Sequence, residues 1–401
     1  MFRSLHPDNC TSCTVCTVHC PVAAATGRFR GPKMTGPAYE RFRLSGLHDD
    51  ASVEYCSNCK NCDISCPSGV PVSTFNMLAR GAYHKGKKTP LRDLLIGFSG
   101  DIGRLVRHIP AFLLNFGMKN PVSRLALDNI GLDKRAALPS FAPLAERRQL
   151  AALRRLPVGR RKREVAALFP GCFISCYEPR AGLDIIAVLE KAGYDIIVPE
   201  AFVCCGLPLL CAGLMDAARK RAKQNCEEAA RLAAQGIPII SPCPSCSLMI
   251  SEEYQALFSE EDIGVGPGRV HEAATFVLSL AEQGRLDLSP ARPMAEPLAY
   301  HAPCHLRALG MGRPGFELLR QISGVRIEDV NAGCCGLAGS YGMKKDRYEI
   351  GAQTGSTLFA ALRENGAELC ASECGSCRTQ IASGVGVATS HPLSLLKRCL
   401  F

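Results

Sequence analysis

Five cysteines recur along this chain at a nearly constant interval, and no other feature limits its fold so sharply. They stand at positions 172, 204, 205, 243 and 246, and again at 304, 334, 335, 374 and 377. Corresponding members are offset by 132, 130, 130, 131 and 131 residues, which means two copies of one unit. Each copy carries a single cysteine (Cys172 in F-P-G-C-F, Cys304 in H-A-P-C-H). A C-C-G triplet follows (Cys204, Cys205, Gly206; Cys334, Cys335, Gly336), then a C-x-x-C (Cys243 and Cys246; Cys374 and Cys377).

Hydrophobic patterning puts these groups at the ends of strands. Residues 165–169, 195–198 and 237–240 read as strands, with helices at 182–192 and 215–234. The same order returns with strands at 298–301, 326–330 and 368–371 and helices at 316–322 and 353–364. Alternating strands and helices define α/β domains, which hold ligands at the carboxyl ends of their strands. Five thiols therefore converge in each copy. Adjacent cysteines cannot both point inward from a regular strand, so the C-C-G predicts a loop whose glycine lets backbone approach something bulky, such as a metal cluster.

The N-terminal region has a second pattern, also present twice. Cys10, Cys13, Cys16 and Cys20 precede Pro21, and Cys56, Cys59, Cys62 and Cys66 precede Pro67, both as C-x2-C-x2-C-x3-C-P. This is the bacterial ferredoxin run, in which three cysteines wrap one cubane 4Fe-4S cluster and the fourth completes the other. The predicted sets are Cys10, Cys13, Cys16 and Cys66 for one cluster, and Cys56, Cys59, Cys62 and Cys20 for the other. Zinc is the competing reading of C-x-x-C pairs, but a third cysteine at the same spacing has no use in a paired-knuckle site. No C-x-x-C-H occurs, which excludes a c-type haem. His19 is expected to pack, or to hydrogen-bond cluster sulfur, rather than bind iron.

The fold class expected is α+β multidomain, divided into an α-helical two-cluster ferredoxin domain (1–85, with a helix at 72–85), a connector (86–163), and two α/β cysteine-rich domains (164–290 and 291–401). The 23 cysteines are an odd number, mostly too close in sequence to pair as disulfides. Cys176, Cys211, Cys226, Cys370 and Cys399 fall outside the motifs and read as packed thiols. The net charge of +10 is uneven: the connector holds 18 Lys and Arg against 5 Asp and Glu from residue 85 to 163. Such a segment suits an anionic lipid surface or an acidic partner, and no nucleic-acid module accompanies it. Pro90, Pro110, Pro121, Pro139, Pro143 and Pro157 break it into short helices. Its apolar residues between 91 and 118 fit either a membrane interface or packing against the protein itself.

No apolar run reaches the roughly 18–20 residues needed to span a bilayer, and the N-terminus lacks a secretory h-region, so a reducing cytoplasm is expected. Lys344 and Lys345 read as solvated surface. His305 reads as a donor to cluster sulfur, a proton carrier or a structural hydrogen-bonding group. Gly310, Gly312 and Gly315 match G-x-G-x-x-G without following a strand, so no dinucleotide site is expected.

The chain resembles the cysteine-rich C-C-G domain family, which includes the catalytic subunit of heterodisulfide reductase and the iron-sulfur subunits of glycolate and lactate oxidases. Within that family it resembles the C subunits of anaerobic glycerol-3-phosphate dehydrogenases. The stretches that carry the likeness are G-P-K-x-x-G-P from Gly31, Y-C-S-N-C-K from Tyr55, C-C-G-L-P-L from Cys204, C-C-G-L-A-G-S-Y-G-M-K-K from Cys334, and H-P-L-S-L-L from His391. The resemblance implies a subunit, peripheral on the inner face of the cell membrane, that takes electrons from flavin-containing dehydrogenase subunits and passes them to menaquinone. It also implies one or two further 4Fe-4S clusters, non-cubane in the heterodisulfide reductase relatives. The C subunits can have a degenerate first set of five; here both are complete, which leaves a disulfide-reducing role open.

Overall fold

The computed structural model describes residues 6–46, 50–153, 163–264, 266 and 270–401; Pro157 lies outside the described residues. The duplicated half forms two four-stranded parallel sheets. In the first, β1 (Glu164–Leu168), β2 (Tyr194–Ile197), β3 (Ile239–Ser241) and β4 (Val270–Glu272) lie in the order β2-β1-β3-β4. In the second, β5 (Leu298–Tyr300), β6 (Ile327–Asp329), β7 (Leu369–Ala371) and β8 (Ala388–Ser390) lie in the matching order β6-β5-β7-β8. The central strands β3, β5 and β7 are buried throughout, as parallel strands covered by helices on both faces must be. The expected strands appear within about two residues of their predicted bounds. The outer strands β4 and β8 were not foreseen: each has three residues, and V-H-E and A-T-S show no strand pattern.

The two copies share one core. Helix Pro179–Lys191 buries Ile185, Val188 and Leu189 against the C-terminal helix Pro392–Leu400 of the other copy, which contributes Leu393, Leu395 and Leu396. The N-terminal region is helical, with Val15–Val18, Pro21–Ala25, Asn61–Ile64 and Val72–His84. It is fused to the first copy through a cluster joining Val22, Phe29 and Met77 to Phe169, Phe202 and Leu209. Arg80, on Val72–His84, is buried and donates to the carbonyls of Val53 (2.9 Å), Glu54 (3.2 Å), Cys211 (3.1 Å) and Cys56. One guanidinium thus fastens the loop before the second cysteine motif to the first copy.

The connector consists of short helices: Leu91–Gly97, Ser99–Leu105, Ala111–Lys119, Pro121–Asn129 and Leu144–Ala152. Four start at or just after Pro90, Pro110, Pro121 or Pro143, where the missing N–H costs nothing in the first turn. Its apolar stretch divides in two. Ile96 and Gly97 are buried, whereas Ala111–Lys119 and Pro121–Asn129 bury no residue and leave Phe112, Phe116 and Val122 exposed. Among the described residues no helix is long and apolar enough to cross a membrane.

Lys344 corrects an expectation. It is not solvated: it is buried and lies 2.6 Å from the equally buried Asp93. The connector folds over the loop after the second C-C-G, pairing Leu132 with Lys344, and this covers the lysine. Lys345 is exposed and pairs with Asp128.

Candidate metal centres

The N-terminal motifs wind through left-handed turns. Ser12 and Thr14 in the first motif have φ of 59° and 66°, and Asn58 and Lys60, at the same steps in the second, have 54° and 66°. Four of the five non-glycine residues with positive φ among the described residues are these, each at a cost of order 1 kcal/mol. Turns of this kind aim successive N–H groups into one concavity, the arrangement that holds anions and iron-sulfur clusters.

The thiols gather in the crossed sets. The thiol neighbours of Cys16 are Cys10, Cys13 and Cys66. Those of Cys20 are Cys59 and Cys56, which also neighbour Cys62. Burial pushes Cys20 and Cys59 up to about 12, with repulsion from Cys59 and Cys56 adding to it at Cys20 and from Cys304 and Cys56 at Cys59. Backbone donors orient the cysteines before proline: Ala23 N–H donates to Cys20 Sγ at 3.4 Å and Val70 N–H to Cys66 Sγ at 3.3 Å. His19 is exposed at the end of its helix rather than packed.

Lys60 lies between Cys59 and Cys62, and sequence reasoning missed it. Its side chain is buried and paired with Glu253 of the first copy and with Asp63 at 3.7 Å. Asp63 accepts from the N–H and O–H of Ser73 at 2.7 and 2.6 Å. The lysine inside C-K-N-C was the available signal.

In each copy the five thiols meet where the strand order reverses, at the carboxyl ends of three adjacent strands. Cys172 lies 3.8 Å from Cys204, and the contacts continue through Cys205 and Cys246 to Cys243. The second copy repeats the sequence from Cys304 through Cys334 and Cys335 to Cys377 (3.4 Å from Cys335) and Cys374. Hydrogen bonds from Cys334 and Cys377 pull Cys335 down to about 5, and one from Cys246 pulls Cys243 down to about 7. The donors Cys246 and Cys377 are raised. Five crowded thiolates, buried or largely so, cannot coexist without compensating positive charge, and metal binding supplies it while releasing their protons. Arg307 donates to Cys304 Sγ at 3.4 Å, and buried Arg378, paired with Glu178, lies near Cys374 and Cys243. Among the described residues no three His, Cys, Asp or Glu side chains close on a point fit for one metal ion. The fit to clusters therefore rests on the all-sulfur donor sets and the backbone turns.

Both C-C-G glycines are left-handed, and the second also allows a close approach of backbone to backbone. Gly206 and Gly336 have φ of 84° and 83°. A Cβ on Gly336 would stand 1.9 Å from the carbonyl oxygen of Gly351 and 3.0 Å from the nitrogen of Gly355. The close approach is to the backbone of helix Tyr348–Asn365, because the chain must turn left-handed straight into contact with that helix.

The residue after each single cysteine crosses to the other copy. Phe173 covers Gly375 of C-G-S-C, where a Cβ would lie 2.1 Å from the ring. His305 reaches Ser245 of C-P-S-C, its Nδ1 lying 2.8 Å from the hydroxyl, while its Nε2 lies 2.9 Å from the carbonyl of Asn58. Only Nε2–H can serve that carbonyl, so Nδ1 accepts from Ser245. Burial holds His305 down to about 4, and the neutral ring bridges the N-terminal region and both copies. Of its three expected roles, this geometry gives it the structural one.

These contacts place the four thiol sets in a row. Cys59 neighbours Cys304 and Cys334, and Cys374 neighbours Cys243. At the far end, Cys13 is the one exposed cysteine among the described residues. Cys176, Cys226, Cys370 and Cys399 are buried, in line with packed thiols, and Cys211 is half-buried.

Paired parallel-sheet domains with five thiols each, preceded by two crossed four-thiol motifs, define the class as an iron-sulfur subunit built on cysteine-rich domains. A model described as "Cysteine-rich domain" matches residues 166–251 and 298–382, and one described as "4Fe-4S dicluster domain" matches 6–70. The dicluster domain implies two cubane clusters, and the cysteine-rich domains suggest more. The chain belongs to the family of the C subunit of anaerobic glycerol-3-phosphate dehydrogenase from Escherichia coli (strain K12), to which it is 31% identical over 396 residues, 98% of each chain. It is also 23% identical to the "Glycolate oxidase iron-sulfur subunit" of the same organism, over 99% of this chain and 96% of that one. It is 26% identical to the "D-2-hydroxyglutarate dehydrogenase" of Pseudomonas putida, over 89% of this chain and 35% of that longer one.

Proposed function

We propose that this chain is the electron-transfer subunit of a membrane-associated anaerobic glycerol-3-phosphate dehydrogenase, passing electrons from a flavin-bearing partner to menaquinone. The observation that carries this is the unbroken row of thiol sets leading inward from exposed Cys13, in a chain similar to that dehydrogenase's C subunit from end to end. The cubane ligands are Cys10, Cys13, Cys16 and Cys66, and Cys56, Cys59, Cys62 and Cys20. The five-thiol sets hold one or two further 4Fe-4S clusters. When bound, the clusters supply one-electron transfer. The chain's own residues ligate, donate N–H groups from the left-handed turns, offset negative charge through Arg307 and Arg378, and hold the parts in register through Lys60 and His305. The exposed helices Ala111–Lys119 and Pro121–Asn129 lie on the inner face of the cell membrane, apolar side chains in the interface and basic ones beside them.

Anaerobic co-purification with the flavin partner tests this. Glycerol 3-phosphate should drive reduction of a menaquinone analogue, with about sixteen iron atoms per chain when all four sets hold 4Fe-4S clusters. An iron-loaded chain that takes no electrons from the flavin partner, or one that carries zinc, overturns it. A second reading is catalysis of disulfide reduction, favoured by the two complete five-thiol sets; turnover of disulfides with a reduced viologen dye would establish it. A third, the iron-sulfur subunit of a glycolate or lactate oxidase, is favoured by the full-length similarity to the glycolate oxidase subunit, and predicts that those hydroxy acids replace glycerol 3-phosphate as donor.

A further inference from the structure

The two five-thiol sets differ in their access to solvent. All five thiols of the second copy are buried, whereas Cys172, Cys204 and Cys243 of the first are partly exposed. A cavity of about 380 Å³ opens beside Cys172 and Cys204, within the range of small-molecule sites. Phe169 and Phe202 give it an apolar wall, and Arg107 and Arg148 line it from the connector.

Helix Ser99–Leu105 closes one side with glycine. A Cβ at Gly100 would lie 3.0 Å from Cys204 Cβ and 3.1 Å from Cys172 Cβ, so the wall sits directly on the thiol set. The same helix ends at Leu105, 83% exposed, and the chain runs on to Phe112 and Phe116, 70% and 72% exposed. A polar-headed ligand with an apolar tail matches this succession of surfaces.

We propose that the cavity is the acceptor site, in which a quinone sets its carbonyl head against the Cys172 and Cys204 end of the first set while its tail leaves over Leu105 and Phe112. This rests on the conduit reading and gives it a direction: electrons enter near Cys13, pass the second copy, and leave from the first, against the order of the chain. Two electrons arrive singly from the flavin partner through the clusters. With two protons from solvent they convert both C=O groups to C–OH, giving hydroquinone. Arg107 and Arg148 stabilise the anionic oxygen that appears before protonation is complete.

Ala151→Trp and Arg148→Glu alter exposed positions at the cavity wall, so folding is retained and iron content verifies it. The probe is a short-chain, water-soluble naphthoquinone added to the iron-loaded chain with its flavin partner. In the parent protein it should shift the paramagnetic-resonance signal of one reduced centre. In either variant the shift should be lost, with KM for the naphthoquinone raised about tenfold. A photoreactive naphthoquinone should label residues 100–108 or 147–152. If the parent reduces naphthoquinone while both variants keep its KM and signal shift, the acceptor site lies elsewhere and the conduit reading stands. If the parent reduces no quinone, both readings fall.

Discussion

Charged and titratable side chains sealed between the parts of this protein decide which single substitutions it tolerates. Asp93 and Lys344 are both buried and pair at 2.6 Å. Burial already lowers Lys344 to about 8, so Asp93→Ala strands a buried ammonium and should cost about 3–5 kcal/mol, read as a drop in the denaturation midpoint. Lys345→Ala, one residue on but exposed, should leave the midpoint near that of the parent. His391 offers a pH test. Its Nδ1 accepts from Leu393 N–H and its Nε2–H donates to the Pro242 carbonyl, both at 3.1 Å, and burial holds it down to about 3. The unfolded imidazole titrates near 6.5, so below that pH the unfolded chain binds a proton that the folded chain refuses. Stability from this residue is complete above about pH 6.5 and is lost as pH falls towards 3; His391→Gln should flatten that acid limb in unfolding measured across pH. The cysteine groups were legible because ligand spacing is local. Lys344 was not, since what covers it lies far away in the chain.

The two C-C-G turns look alike in sequence but have unequal tolerance. A Cβ at Gly336 meets backbone at 1.9 Å, whereas one at Gly206 finds its nearest neighbour, Arg221 Cβ, at 3.5 Å. Gly336→Ala should therefore unseat Cys334 and Cys335 and lower iron per chain. Gly206→Ala should lose only the roughly 1–2 kcal/mol of a left-handed alanine and keep its iron. Metal analysis beside circular dichroism separates these outcomes. At this scale the sequence was informative where an element carried strong periodicity or a terminal cysteine, as in β1 to β3 and β5 to β7. It was silent on β4 and β8, which form only by pairing with a neighbour already present.

The arrangement of the parts could not be read from the sequence at all. No local signal says that both copies touch the N-terminal motifs, because those contacts join Lys60 to Glu253 and His305 to Asn58 across 193 and 247 positions. The outer end of the row has a testable surface. Val18 and Ile64, 78% and 50% exposed, occupy the same step after Cys16 and Cys62, on helices that touch. If the flavin partner docks there, Val18→Asp with Ile64→Asp should slow reduction by that partner without altering reduction by dithionite. At one end of the row Cys13 is exposed and at the other Cys172 and Cys204 are partly exposed beside the cavity, whereas all five thiols of the second copy, between them, are buried. If all four sets hold iron, oxygen, which attacks accessible sulfur first, should corrode the row from its two tips inward, leaving the centre in the second copy to bleach last.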